Sequence, residues 1–144
     1  FLKRLQDNFS NNSFFYAGFD LAKSPIAYCN RNYAKQGAKF YLSSIPTKRA
    51  DYSVMSGTFN YAPDLTIRAW KDYLFANLNS IWNLTRRSMV FNLMISEEEK
   101  ITSQSISYIK KETVVNFCQK NFGETYENFS SQLPREITFC VVKA

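Results

Sequence analysis

Histidine is absent from the 144-residue sequence. Catalytic Ser-His-Asp and Cys-His groups and histidine-ligated metal centres need an imidazole, so these hydrolase and metal-site classes are excluded. Glycine and proline are scarce, at 4 residues each, whereas aromatic residues make up 17% of the chain. This composition is typical of one globular domain with a sizeable core, and we expect a single domain over residues 1–144.

Cysteines and long apolar runs are also few. The three cysteines, Cys29, Cys118 and Cys140, are odd in number and far apart, which indicates buried thiols in a reducing compartment and not a disulfide framework. The longest apolar run, residues 89–95, is interrupted by Asn92 and is far shorter than the ~20 residues that cross a bilayer. No secretory signal opens the sequence. We therefore expect a cytoplasmic protein without a membrane partner.

The formal net charge is +6, but the basic residues never form a run. Of the 18 basic residues, eight form the isolated pairs Lys3-Arg4, Lys48-Arg49, Arg86-Arg87 and Lys110-Lys111, and the others stand singly. Nucleic-acid arms and recognition helices are more densely basic, so a nucleic-acid partner is not favoured. Two interpretations stay open: ordinary solvated surface, or a modest basic face that helps an acidic substrate to approach.

Strand-like and helix-like segments alternate along the sequence. Strands are predicted at residues 13–20, 38–42, 51–56, 89–95, 125–129 and 136–143. Helices are predicted after Ser24 and Asp64, each read as an N-cap, and over residues 111–122. Arg86 and Arg87 are placed in the last turn of the second of these helices. Residues 96–107 are predicted to be a solvated loop.

Such alternation predicts parallel strands joined by right-handed crossovers. The last two strands follow each other without a helix between them, which predicts an antiparallel pair. We therefore expect an α/β fold with a doubly wound, mostly parallel sheet and an antiparallel terminal strand.

Several weak motifs occur in an order known from one family. They are Gly18-Phe19-Asp20 at a strand end, Ser24-Pro25 at a helix start, the strand at residues 50–54 leading into the turn at residues 56–60, and the strand at residues 90–93. This succession resembles the class I (Rossmann-like) S-adenosylmethionine-dependent methyltransferases, from their second strand to their last. The resemblance covers essentially the whole chain.

The resemblance implies that the domain binds S-adenosylmethionine when the missing N-terminal segment is present, and that these 144 residues alone are inactive. Asp20 would accept hydrogen bonds from the ribose hydroxyls of this cofactor, as a carboxylate is suited to do, and Leu21 would flank the adenine. Ser43 and Ser44 stand where the family often has an acidic or polar residue beside the adenine amino group. Taken without the family, Asp20 is explained as a helix cap or a solvated charge, and Leu21 as core.

The turn at residues 56–60 would face the methionine part of the cofactor and the methyl acceptor. Ser56, Gly57, Thr58 and Asn60 are therefore candidate cofactor-binding residues by resemblance. A tight turn that merely needs Gly57 is the competing interpretation. No catalytic base is assigned, because neither Asp51 nor Asp64 can be given that task from the sequence.

The glycine-rich turn of the family has no match here. None of the four glycines lies within three residues of another, and the family's first strand is not found either. Phe1 and the residues after it read as the end of an amphipathic helix, so we expect the domain to be N-terminally incomplete. Its sheet would be completed by other residues, rearrange, or associate with another chain, and a homo-oligomer stays open.

Two functions from different classes follow from this resemblance. The first is methyl transfer from S-adenosylmethionine to a small-molecule acceptor, which suits a chain without histidine because the cofactor supplies the electrophile. The alternative is a degenerate methyltransferase fold that acts as a non-catalytic partner-binding domain. A Rossmann dehydrogenase would share Asp20 but fits the closing strand pair poorly.

Overall fold

The computed structural model describes residues 2–9, 14–34 and 37–143. These residues form two compact units, Phe1–Pro46 and Thr47–Ala144. Phe1 and Ser13, with which a predicted helix and a predicted strand begin, lie outside the described residues.

The described residues of the first unit form two helices and two strands: α1 (Leu2–Asn8), β1 (Tyr16–Asp20), α2 (Lys23–Tyr33) and β2 (Ala38–Leu42). The two strands pair in parallel, from Tyr16 opposite Ala38 to Asp20 opposite Leu42. Their carboxyl ends therefore lie at the same edge. Glycine is required at position 18, because a Cβ there would lie 2.7 Å from the Phe40 ring.

The second unit contains six strands and two helices among its described residues. In chain order they are β3 (Ala50–Met55), α3 (Ile67–Leu84), β4 (Thr85–Met94), β5 (Lys100–Ile101), β6 (Ser107–Tyr108), α4 (Lys111–Asn121), β7 (Thr125–Phe129) and β8 (Glu136–Val142). Four strands form a sheet in the order β3-β4-β8-β7, and β5 pairs with β6 as a separate hairpin. Strand β8 is antiparallel to both of its neighbours, whereas β3 and β4 are parallel.

The core of the second unit lies against one face of this sheet. Alternate residues of β4, namely Met89, Phe91 and Leu93, are buried, and the Phe91 ring stacks on Phe139 of β8 with centroids 5.4 Å apart. Helices α3 and α4 cover this face, with buried side chains that include Trp70, Leu74, Leu78, Val114 and Cys118. The intervening residues of β4, such as Val90 and Asn92, are only half-buried.

The α/β class and the antiparallel closing pair of strands are confirmed. One face of β4 is buried, and the residues from Val90 onward on its other face are half-buried. The sheet of the second unit is also mixed, with one parallel and two antiparallel pairings. Burial is confirmed for Cys118 but not for Cys29 and Cys140, which are half-buried. Desolvation raises the pKa of the Cys118 thiol to about 12.

Three predicted helix boundaries are wrong by a few residues. Ala22, and not Ser24, is the N-cap of α2, and Thr66, and not Asp64, is the N-cap of α3. Asp64 lies in a left-handed turn with φ 56°, which a cap residue does not adopt. Arg86 lies in β4, because helix α3 ends at Leu84.

Residues 96–107 are more structured than the predicted loop. They contain β5 and the first residue of β6, and Glu99 is tied into the unit by hydrogen bonds. No helix in the described part of the chain has the length and apolar character needed to span a bilayer.

The two candidate caps of α3 can be separated by mutation. The Thr66 side chain accepts a hydrogen bond from the Ala69 amide at 3.2 Å, so Thr66→Ala should lower the free energy of unfolding by about 1 kcal/mol. Asp64→Asn is the matched control, since asparagine tolerates a positive φ and this change should be nearly neutral. Urea unfolding of both variants measures the difference, and a larger loss for Asp64→Asn would contradict the assignment.

Candidate active site

Asp20 ends strand β1 at the carboxyl edge of the first unit. One of its carboxylate oxygens accepts a hydrogen bond from the Ala22 amide at 2.8 Å, which begins helix α2. The side chain is exposed, and the other carboxylate oxygen has no partner among the described residues. Asp20 is therefore both a local helix-start residue and a free acceptor at the edge where ligands bind in open α/β sheets.

Leu21 and Ser44 are exposed, and Ser43 is half-buried beside them in the first unit. Leu21 is 70% exposed, so the core interpretation of this residue is wrong. The Ser43 amide donates to the Asp20 carbonyl at 3.0 Å, which brings the ends of β1 and β2 together. The Ser43 hydroxyl donates to the Ile45 carbonyl at 2.8 Å and closes its own turn.

The turn at residues 56–60 follows β3 in the second unit. Gly57 has φ +68°, and a Cβ placed there would meet no atom within 4 Å. Glycine is thus favoured by the backbone conformation, and open space lies beside it. Its amide donates to the side-chain oxygen of Asn92 at 2.6 Å, so this N–H group already has a partner within the protein.

Asn60 joins the same turn to two other elements. Its side-chain oxygen accepts from the Met94 amide at 3.3 Å, and its carbonyl accepts from the Ser107 amide at 3.0 Å. Ser56 and Thr58 are exposed, and their hydroxyls have no hydrogen-bond partner among the described residues. The turn therefore presents hydroxyl groups from a fixed backbone.

The backbone carbonyl of Phe59 anchors this turn to the core through two hydrogen bonds. It is approached by two donors, the Trp70 indole N–H at 2.9 Å and the Ser107 hydroxyl at 3.0 Å. All three residues are buried. Because a buried carbonyl is costly when unpaired and here has two partners, the turn is held to α3 and β6.

Sequence reasoning missed Asn92 as a positioning residue. It lies in the middle of the least polar strand, where a polar side chain is unexpected, and its amide group holds Gly57 across 35 positions of sequence. That isolated polarity within an apolar run was the available signal, but the sequence alone does not reveal its partner.

A cavity of about 500 Å³ lies in the second unit. It is found where β4 and β7 end and β8 begins. Its lining residues are Ile95, Ser96, Glu97, Lys100, Thr102, Tyr108, Phe129, Pro134, Arg135 and Ile137.

Glu99 secures the segment that forms one wall of this cavity. Its carboxylate accepts from the Lys71 ammonium at 2.6 Å and from the Thr113 hydroxyl at 2.8 Å. Burial raises the pKa of Glu99, but the hydrogen bonds from Lys71, Thr113 and the Lys110 amide, together with the charge of Lys71, outweigh it and the net pKa is lowered. The cavity wall is thereby pinned to α3 and α4.

The fold of this chain is similar to that of several proteins of known structure. No protein-family model and no curated protein matches the sequence. Among solved structures, it is similar to the magnesium protoporphyrin IX methyltransferase ChlM from Synechocystis PCC 6803 with bound SAH, at 9% identity and a TM-score of 0.65 over 90% of this chain and 64% of that chain. The DhpI–SAH complex matches at 11% identity and a TM-score of 0.62, over 98% of this chain and 72% of that one. The LepI complex with SAM matches at 8% identity and a TM-score of 0.66, over 99% and 40%.

The chain has the class I methyltransferase fold. It spans 64% of the length of the ChlM chain with bound SAH and 60% of the ChlM chain with bound SAM. In this methyltransferase fold, Asp20 ends β1 and Ser43 directly follows the neighbouring strand β2 in the first unit. The turn at residues 56–60 follows β3 in the second unit.

Removing the Asn92 side chain should loosen the turn of the methyltransferase fold. Asn92→Ala leaves the Gly57 amide without its acceptor, so we expect a loss of about 1 to 2 kcal/mol in unfolding free energy and faster exchange of the Gly57 amide hydrogen. Asn128→Ala is the matched control, because Asn128 faces Thr138 from the opposite neighbouring strand and makes no side-chain hydrogen bond with the described residues. Equal Gly57 exchange in both variants would contradict the positioning role.

Glu99 should make stability depend on pH. Because its pKa in the folded protein lies below the ordinary value of 4.5, its contribution is complete above that value and is lost as the pH falls through the lowered pKa. Glu99→Gln should therefore destabilise by about 1 kcal/mol near neutral pH and lose this effect once the pH falls below the lowered pKa. Thermal unfolding over this range, with exposed Glu97→Gln as control, measures it; a Glu99→Gln effect that does not change with pH would contradict the linkage.

Proposed function

We propose that this protein transfers a methyl group from S-adenosylmethionine to a small-molecule acceptor. The observation that carries the proposal is the free carboxylate oxygen of Asp20 at the carboxyl edge of a parallel strand pair, in a chain with the class I methyltransferase fold. The similar structures of ChlM and LepI contain SAM or SAH, and that of DhpI contains SAH, which supports the same cofactor here.

The residues of the first unit fit this cofactor in part. A free carboxylate oxygen on Asp20 suits a ribose diol, since hydroxyls donate and a carboxylate only accepts. The exposed Leu21 offers an apolar surface for one face of the adenine. Ser43 fits less well, because its hydroxyl is engaged with Ile45, so Ser44 is left to contact the adenine edge.

The turn of the second unit fits the methionine part. Ser56 and Thr58 offer hydroxyls, and the Asn60 amide nitrogen has no partner among the described residues. The missing side chain of Gly57 leaves room for a close approach. The Gly57 amide itself cannot serve without releasing Asn92.

The proposed chemistry asks little acid–base work of the protein. S-Adenosylmethionine carries an electrophilic sulfonium methyl group, and the chain's task is to align the acceptor with it and exclude water. We assign no general base. Asp51 forms an ion pair with Arg86 at 3.3 Å, and Asp64 lies in the turn before α3, so neither is singled out for proton transfer.

Three finer expectations belong with this proposal. They are one doubly wound, mostly parallel sheet in a single domain, a cytoplasmic location, and a small molecule as the acceptor. The alternation of strands and helices supports the first expectation, and the pattern of unpaired thiols supports the second. The cavity of the second unit supports the third.

A non-catalytic partner-binding role is the second candidate. Strand β3 is an outer strand of its four-stranded sheet, and its side chains Tyr52 and Val54 are 63% and 47% exposed. Apolar side chains on an unpaired strand edge favour association with another chain. This role predicts no response to the cofactor.

Calorimetry with S-adenosylhomocysteine separates the two functions in the full-length gene product. If the proposal holds, the ligand binds, and Asp20→Ala weakens binding about tenfold or more, the loss expected for hydrogen bonds to a charged group. Asp7→Ala, which removes another exposed carboxylate of the first unit, should leave the affinity unchanged. Absence of binding would favour the partner-binding role, and equal affinities for both variants would remove Asp20 from the site.

A further inference from the structure

The cavity of the second unit carries an unusual set of charges for its size. Lys100 and Arg135 bring two cations to its lining, and Glu97 brings one carboxylate. Lys100 is paired with Glu98 at 2.9 Å. Arg135 forms no ion pair or side-chain hydrogen bond with the described residues, so its guanidinium is available to a ligand.

The backbone of Arg135 is held by a hydrogen bond, although its guanidinium has no partner among the described residues. Its carbonyl accepts a hydrogen bond from the Ile95 amide at 2.7 Å, directly after β4 ends. Such an arginine, held at the cavity wall by its backbone, is suited to bind a carboxylate through two parallel hydrogen bonds. Its guanidinium is available for this bidentate contact because it lacks a partner among the described residues.

Besides these charged residues and the hydroxyl residues Ser96 and Thr102, the lining is aromatic and aliphatic. Tyr108 and Phe129 contribute rings, and Phe129 is 60% exposed. Ile95, Pro134 and Ile137 add aliphatic surface. An aromatic ligand ring gains from such walls through burial and ring contacts.

The cavity is joined to the turn that we propose for the cofactor. The Asn60 side chain accepts from the Met94 amide, and Met94 directly precedes the lining residue Ile95. The Asn60 carbonyl accepts from the Ser107 amide, and Ser107 directly precedes the lining residue Tyr108. Both connections lie within the second unit, so the turn and the cavity share their supports.

From these observations we infer that the cavity binds the methyl acceptor, and that this acceptor is an aromatic acid with a hydroxyl or amino group. Arg135 binds the carboxylate, the ring lies against Tyr108 and Phe129, and Glu97 accepts a hydrogen bond from the hydroxyl or amino group. Glu97 also disfavours the carboxylate at its own end of the cavity and so orients the ligand. The role of the ligand as a methyl acceptor rests on the proposed function, whereas its binding to the cavity does not need the cofactor.

The test is direct binding to the full chain without cofactor. Three probes carry the predicted groups: 4-hydroxybenzoate, 4-aminobenzoate and 4-hydroxyphenylacetate. Ligand-observed NMR and calorimetry should detect binding of at least one of them, and the corresponding neutral amide should bind about tenfold more weakly. Arg135→Gln should weaken binding of the acid about tenfold, and should remove the preference for acid over amide.

Arg68→Gln is the control: it removes another exposed guanidinium, on α3, and should leave binding of the acid unchanged. Glu97→Gln tests the orienting role, because it keeps an acceptor oxygen and removes the charge that disfavours the carboxylate, so it should bind the acid more tightly. Circular dichroism confirms that each variant is folded.

The outcomes are distinguishable from those for the cofactor. Binding of none of the three acids, equal binding of acid and amide, or equal losses for Arg135→Gln and Arg68→Gln would each overturn the inference. Acid binding that depends on Arg135 supports it even if S-adenosylhomocysteine does not bind, in which case the cavity is a ligand site of a non-catalytic protein.

Discussion

The buried carbonyl of Phe59 is the constraint on which the second unit depends. Two donors from distant parts of the chain, the Trp70 indole and the Ser107 hydroxyl, converge on this one oxygen. Helix α3, strand β6 and the turn after β3 are thereby held in one arrangement. The candidate cofactor turn and the cavity are consequences of that arrangement, because both are supported by the residues on either side of Phe59 and Ser107. A change at either donor would leave a buried acceptor short of a partner and would affect both.

Much of the fold could be predicted from the sequence, because burial leaves a periodic pattern. The alternation in β4 and β8 and the closing pair of strands are local signals of this kind. The helix starts were harder. Asp64 and Thr66 are both good cap residues, and only the backbone decides between them: Asp64 adopts a positive φ, so the helix starts after Thr66.

The candidate site divides in the same way. Asp20 could be proposed because the family resemblance assigns a role to an acidic residue at that strand end, a feature visible in the local sequence. Asn92 and Arg135 could not, since their importance comes from partners or walls that the chain brings together only on folding. Glu99 illustrates the same limit. It lies in a run of three glutamates that is typical of solvated surface. Nevertheless, Glu99 is held by hydrogen bonds from Lys71 and Thr113, whereas Glu97 and Glu98 are exposed.

The position of β8 has a consequence for how the second unit is made. This strand lies between β4 and β7, although it follows both in sequence. Lys143, just after it, donates to the Trp82 and Thr85 carbonyls at the end of α3 and lies over the Trp82 ring, 4.8 Å from its centroid. During synthesis on the ribosome, the edge of β4 that pairs with β8 therefore stays unpaired until β8 has emerged. The unit should acquire its stability late and in one step, and the nascent chain before that point is its most aggregation-prone form.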